Sequence, residues 1–164
     1  MYRRRVRLAG LALALVTVGG ALTACGSDAF ERCVPEAADT AGAAQLAGTF
    51  DGELKAKGAR LVLTLTPGTV QGGTFTAENW PTGDSSFHAH PGKTFSGSGT
   101  WQVQAPVSAK GRTMLVLDFT EAEGFLQGDT LDKLSIGIDA KRTFVYDDPD
   151  PDVCPKFRLR LRQG

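Results

Sequence analysis

The chain has 164 residues, with 18 Lys and Arg against 18 Asp and Glu and 41% hydrophobic residues. That length supports one domain with a real core and leaves too little for a second. The balanced charge, with no basic block in the body of the chain, argues against a nucleic-acid binder.

In chain order, Arg3, Arg4, Arg5 and Arg7 precede an apolar run from Leu8 to Leu22, and Thr23 and Ala24 separate that run from Cys25. A charged start, an apolar centre and small residues before a cut follow the order of a secretory signal peptide. The run, about fifteen residues, is shorter than the roughly 20 that a helix needs to cross a bilayer core. Leu22-Thr23-Ala24-Cys25 resembles the lipobox of bacterial lipoproteins. The resemblance implies that residues 1–24 are a cleaved signal peptide and that Cys25 becomes the first residue of the mature chain. It also implies a diacylglycerol on the Cys25 thiol, anchoring an extracytoplasmic protein to the cell membrane. Two acyl chains attach a protein stably where one holds it only marginally. Losing the four arginines would leave 14 basic against 18 acidic residues, a net charge near −4.

With Cys25 acylated, Cys33 and Cys154 remain as a pair, in a compartment where disulfides persist. A Cys33–Cys154 bridge would tie the two ends of the domain across a loop of more than 100 residues, for which chain entropy allows up to about 4.7 kcal/mol. The alternative, two free thiols or a metal pair, lacks further ligands nearby, since neither histidine adjoins either cysteine.

Residues 25–45 read as a lipidated tether and N-terminal segment, a short helix or coil: Pro35 followed by Glu36-Ala37-Ala38-Asp39 can open a helix, and Gly42 weakens it. Residues 46–164 read as a single β domain. Leu46, Gly48, Phe50, Gly52 and Leu54 fall on one face of a first strand, with Ala47, Thr49, Asp51 and Glu53 on the other. Leu61, Leu63 and Leu65 mark a second strand, ended by Pro67-Gly68, and Phe75 and Ala77 a third, closed by Trp80-Pro81. After an irregular stretch from 82 to 95, Gly97, Gly99, Trp101 and Val103 mark a fourth, and Leu115, Leu117 and Phe119 a fifth. Leu134, Ile136 and Ile138 give a sixth, Phe144 and Tyr146 a seventh. The eighth places Phe157, Leu159 and Leu161 inward and Lys156, Arg158, Arg160 and Arg162 outward.

Eight short strands joined mostly by tight turns predict an all-β fold, an antiparallel meander closed into a small barrel, with a β-sandwich as the alternative. Closure of the last strand on the first would set its outward cations beside Asp51 and Glu53, a favourable cross-strand pairing. The motifs Leu46-Ala-Gly-Thr-Phe, Gly99-Thr-Trp101 and Asp148-Pro-Asp150 resemble those of small secreted actinobacterial lipoproteins with a lipocalin-like, or calycin-like, barrel. That resemblance implies the barrel and no active site.

Three sets of residues are candidates for chemistry. Asp84, His88 and His90 combine two imidazoles one residue apart with a carboxylate, a common metal-ligand set, although exposed loop histidines look the same in sequence. Asp147-Asp148-Pro149-Asp150-Pro151-Asp152 offers hard oxygen ligands to Ca²⁺ but lacks the glycine and terminal glutamate of an EF-hand, and reads first as a polar, proline-stiffened turn before the Cys154 strand. Phe50, Phe75, Trp101 and Phe144 would line a barrel cavity for a small apolar ligand, with space left by Gly48, Gly52, Gly97 and Gly99. Pro91-Gly92-Lys93-Thr94 lacks the first glycine of a phosphate loop, and Ser96-Gly97-Ser98-Gly99 lacks the frame of a nucleophile elbow. No resident cofactor is implied.

The expectation is a membrane-anchored, non-enzymatic module that binds a small apolar ligand or a cell-envelope partner. The alternatives are a metal-assisted hydrolase using the His88/His90 loop, or an envelope protein with a packed barrel and no ligand.

Overall fold

The computed structural model describes residues 33–82, 94–108, 111–122, 130–147, 150 and 153–163. Its strands are β1 (Gly48–Leu54), β2 (Arg60–Leu65), β3 (Gly72–Pro81), β4 (Thr94–Gln104), β5 (Met114–Ala122), β6 (Lys133–Ile138), β7 (Thr143–Tyr146) and β8 (Phe157–Leu161). Each pairs antiparallel with the next, and β8 pairs with β1, so the protein is a closed eight-stranded barrel and not a sandwich. The closing register sets Phe50 opposite Leu161 and Gly52 opposite Leu159 inside, with Asp51 opposite Arg160 and Glu53 opposite Arg158 outside. The alternation that favours this closure buries apolar side chains and pairs opposite charges in one step.

In such a meander β1, β3, β5 and β7 all run to the same end. The β7–β8 connection carries Cys154 to that end, where it is bonded to Cys33 with their Cα atoms 5.7 Å apart. The β3–β4 connection has its roots, Thr82 and Thr94, at this stapled end too.

The expected helix over Glu36–Asp39 is absent, and this segment is instead an extended strap. β5 and β6 pair only through Met114–Val116 and Lys133–Ser135, which leaves the next three residues of β6 without a β5 partner. The strap fills that seam: Ala38 N–H donates to the Ile136 carbonyl at 2.9 Å, and Ile138 N–H donates to the Glu36 carbonyl at 3.1 Å. Farther on, the Thr113 hydroxyl donates to the Asp39 carbonyl at 2.6 Å. Satisfying a buried sheet edge outweighs the weak helical preference of four residues. The strap lies close against Gly137, where an added Cβ would stand 2.9 Å from the Pro35 carbonyl oxygen.

Two further expectations shift. Leu46 belongs to a helical turn, Ala43–Leu46, which seats Ala43 and Leu46 in the core where β1 begins. Leu54 leaves the inward row: it has φ 54° and is 58% exposed at the start of the β1–β2 turn.

Candidate binding surfaces on the outer wall

Among the described residues, aromatic side chains pack against one another inside the barrel. Phe119 packs edge-on against Phe75 with centroids 4.8 Å apart, and lies 5.2 Å from Phe95 and 6.3 Å from Trp80, which in turn meets Phe157 at 5.4 Å. The indole N–H of Trp101 donates to the Thr64 carbonyl at 3.1 Å, and that of Trp80 to the Leu131 carbonyl at 3.1 Å. Thr130 forms a bridge with Thr82 and donates its hydroxyl to the Pro81 carbonyl at 2.9 Å. Since β3 and β6 are not neighbours in the sheet, residues 130–132 reach β3 by crossing the mouth at the stapled end. The turn Ala43–Leu46 occupies the other end.

The four residues expected to line an apolar cavity do not form one set. Phe50, Phe75 and Trp101 are buried in this core, but Phe144 belongs to a separate cluster with Val34 and Tyr146. Phe144-Val145-Tyr146 is apolar throughout, so its sequence does not say which side faces in; the register does, by placing Val145 opposite Ile136 and Leu159. Nor do the inward glycines leave room. A Cβ at Gly97 would lie 3.0 Å from Phe119 Cδ1, one at Gly48 2.9 Å from Leu161 Cδ1, and those at Gly52 and Gly99 under 2 Å from the Ala56 and Asp118 carbonyl oxygens.

Other candidates fall elsewhere. Cys25, Asp84, His88 and His90 lie outside the described residues, as do Asp148, Pro149, Pro151 and Asp152 of the acidic turn. Among the described residues there is no cluster of three or more metal-ligating side chains.

The outer wall carries the chemistry the interior lacks. On β7, β8 and β1, three guanidiniums surround the Phe144 ring, with Arg158, Arg142 and Arg160 at 5.3, 5.8 and 5.9 Å from its centroid. Arg158 also donates to Glu53 Oε2 at 2.9 Å and to the Cys33 carbonyl, tying the strap to β8. Arg162 holds both oxygens of Asp51, at 2.9 and 2.8 Å, and Arg142 is paired with Asp139 at 2.8 Å. Hydrogen bonding from Arg162 pulls the Asp51 carboxyl below its ordinary pKa, aided by the charges of Arg162 and Arg60, and Asp51 in turn raises Arg162. Asp139 is lowered first by the Lys141 backbone N–H and then by Arg142. Because Arg162 occupies Asp51, Arg160 stays exposed above Phe144, beside an open depression of about 260 Å³ between β1 and β8.

The wall of β2 to β5 is different. Rows of hydroxyls run across it: exposed Thr64 opposite Thr74 opposite Thr100, and exposed Thr76 opposite half-buried Ser98, which donates to Glu121 Oε2 at 3.1 Å. They border a shallow concavity of about 340 Å³ at the bulge where Ser98 and Gly99 shift register against β5. No sequence motif announced either wall, although the alternating arginines of β8 were a signal for the first. Compared with known protein families, curated proteins and solved structures, the chain matches none.

Proposed function

We propose that the protein is a lipid-anchored, extracytoplasmic, non-enzymatic module that binds a cell-envelope partner through its outer wall and not a ligand through its interior. The observation that supports this reading is the packing of the described interior: aromatics from β3, β4, β5 and β8 interlock, and chain segments lie at both ends. Eight strands enclose a space that side chains alone can fill. The lipobox-like Leu22-Thr23-Ala24-Cys25 supports the anchor, and the Cys33–Cys154 bridge fits an oxidising compartment.

Intact-mass measurement of the protein extracted from its own membranes tests the anchor. The expected species begins at Cys25 and carries a diacylglycerol, and Cys25→Ala releases the protein from the membrane fraction. An unmodified Cys25 sinks that half. An environment-sensitive naphthalene dye tests the interior, and no saturable fluorescence gain is expected. One-to-one dye binding that Trp101→Phe alters would restore the interior-ligand reading.

A further inference from the structure

We infer that the wall formed by β7, β8 and β1 is a docking face for the anionic headgroup surface of the bilayer, so that the barrel lies on its side against the membrane. The inference rests on the lipid-anchor reading for its geometry, but its charge argument is independent of it. Lys55, Lys141, Arg142, Lys156, Arg158, Arg160 and Arg162 stand on or at the ends of these strands, against Asp51, Glu53, Asp139 and Asp147. Asp51, Glu53 and Asp139 are taken by Arg162, Arg158 and Arg142, and Lys141, Lys156 and Arg160 have no acidic partner among the described residues. A net positive wall thus sits on a chain whose acidic groups outnumber its basic ones once residues 1–24 are gone.

The charge is segregated by strand. β3, β4 and β5 contain no Lys or Arg, and present Glu78, Asp118 and Glu121 to solvent. An approach by the stapled end would bring Asp147 and Asp150 toward the headgroups together with Lys55 and Lys57, with no net charge among the four, and an approach by the β3–β5 wall would bring only carboxylates. The β7–β8–β1 wall, with its cationic excess, complements an anionic leaflet within the roughly 8–10 Å that salt allows. The chain outside the structure ends at this wall. Cys33 lies under Arg158, and the eight residues from Cys25 to Cys33 reach at most about 28 Å when fully extended.

The test uses the mature chain from residue 25 with Cys25→Ser, which retains every described strand and the bridge. It is mixed with vesicles of phosphatidylcholine alone, or with phosphatidylglycerol added, and cosedimentation is measured at low and high salt. We expect at least about tenfold stronger partition onto the anionic vesicles, lost at high salt. The triple variant K141Q/K156Q/R160Q is expected to bind about a hundredfold more weakly, from about fivefold per cation, with an unchanged unfolding temperature as the check on folding. Glu78→Gln with Asp118→Asn changes partition less than about twofold, because that wall faces away. Failure to bind, equal partition onto both vesicle types, or undiminished binding by the triple variant overturns the proposal. The intact mass at Cys25 is read separately, so failure of the anchor and failure of the docking face are distinguishable.

Discussion

The two sides of this barrel are held together differently. β3, β4 and β5 are 10, 11 and 9 residues long, pair with each other along most of their length, and leave bare hydroxyls outside. β7 and β8 are 4 and 5 residues long, and β6 shares only three residue pairs with β5. That short-strand side is covered from outside by the strap, the guanidiniums over Phe144 and the disulfide. Long strands gain enough from their own ladders and inner face. Short ones need a second layer, and the strap supplies it at the cost of ordering some ten more residues.

The largest test of this contrast is Phe119→Ala on the long-strand side. It removes the ring shared by Phe75, Phe95 and Trp80, and should cost about 3–5 kcal/mol in denaturant unfolding, with amide protection falling around the whole barrel. Next, Cys33→Ser with Cys154→Ser should cost about 2–4 kcal/mol. Its exchange signature should be local: the amides of Ile136, Ile138 and Phe144 should open faster while Thr74 and Thr100 keep their protection. Uniform loosening would mean that the strap is not what holds the short strands.

Smaller effects sharpen the comparison. A double-mutant cycle on Glu53→Gln and Arg158→Gln should return a coupling of about 1 kcal/mol, since these side chains are only 32% and 19% exposed. On the other wall, Thr74→Ala or Thr100→Ala should change stability by less than about 0.5 kcal/mol. The pH dependence is expected to be slight and confined to acid. Asp51 and Asp139 titrate lower in the folded than in the unfolded chain, so their contribution is complete above the unfolded carboxylate pKa of about 3.9. It is lost as pH falls through their folded values. Unfolding midpoints measured from pH 8 down to 3 should be flat until about pH 4, with a shallower acid limb in Arg162→Gln.

Much of the barrel was legible because period-two alternation is a local signal with one solution wherever the two faces differ. Phe75-Thr76-Ala77 and Phe157-Arg158-Leu159-Arg160 state their inner faces outright, and the apolar residues of each are inward as expected. Phe144-Val145-Tyr146 does not, because all three are apolar, and a strand read alone then has no parity. Glu36–Asp39 misled for another reason: proline before Glu-Ala-Ala is a real helix opening, and only the unfilled edge of β6 overrules it. The glycines misled because an absent side chain looks like space until the neighbours that fill it are placed.

Alternation and turn residues by themselves determined the strand count and the antiparallel meander, which follow from the chemistry of adjacent residues. The pairing of Cys33 with Cys154 needed a further step, since three thiols leave a pair only when Cys25 is set aside, and the structure supplies the bond. Which aromatics meet inside the barrel was decided only in three dimensions, where Phe119, Trp80 and Phe157 come together from β5, β3 and β8. The cationic wall was decided there too: Arg160 faces Asp51 in the register, yet Arg162 takes that carboxylate by a diagonal reach and leaves Arg160 above the ring of Phe144. Such competition among long side chains depends on distances across strands, which a one-dimensional pattern does not contain.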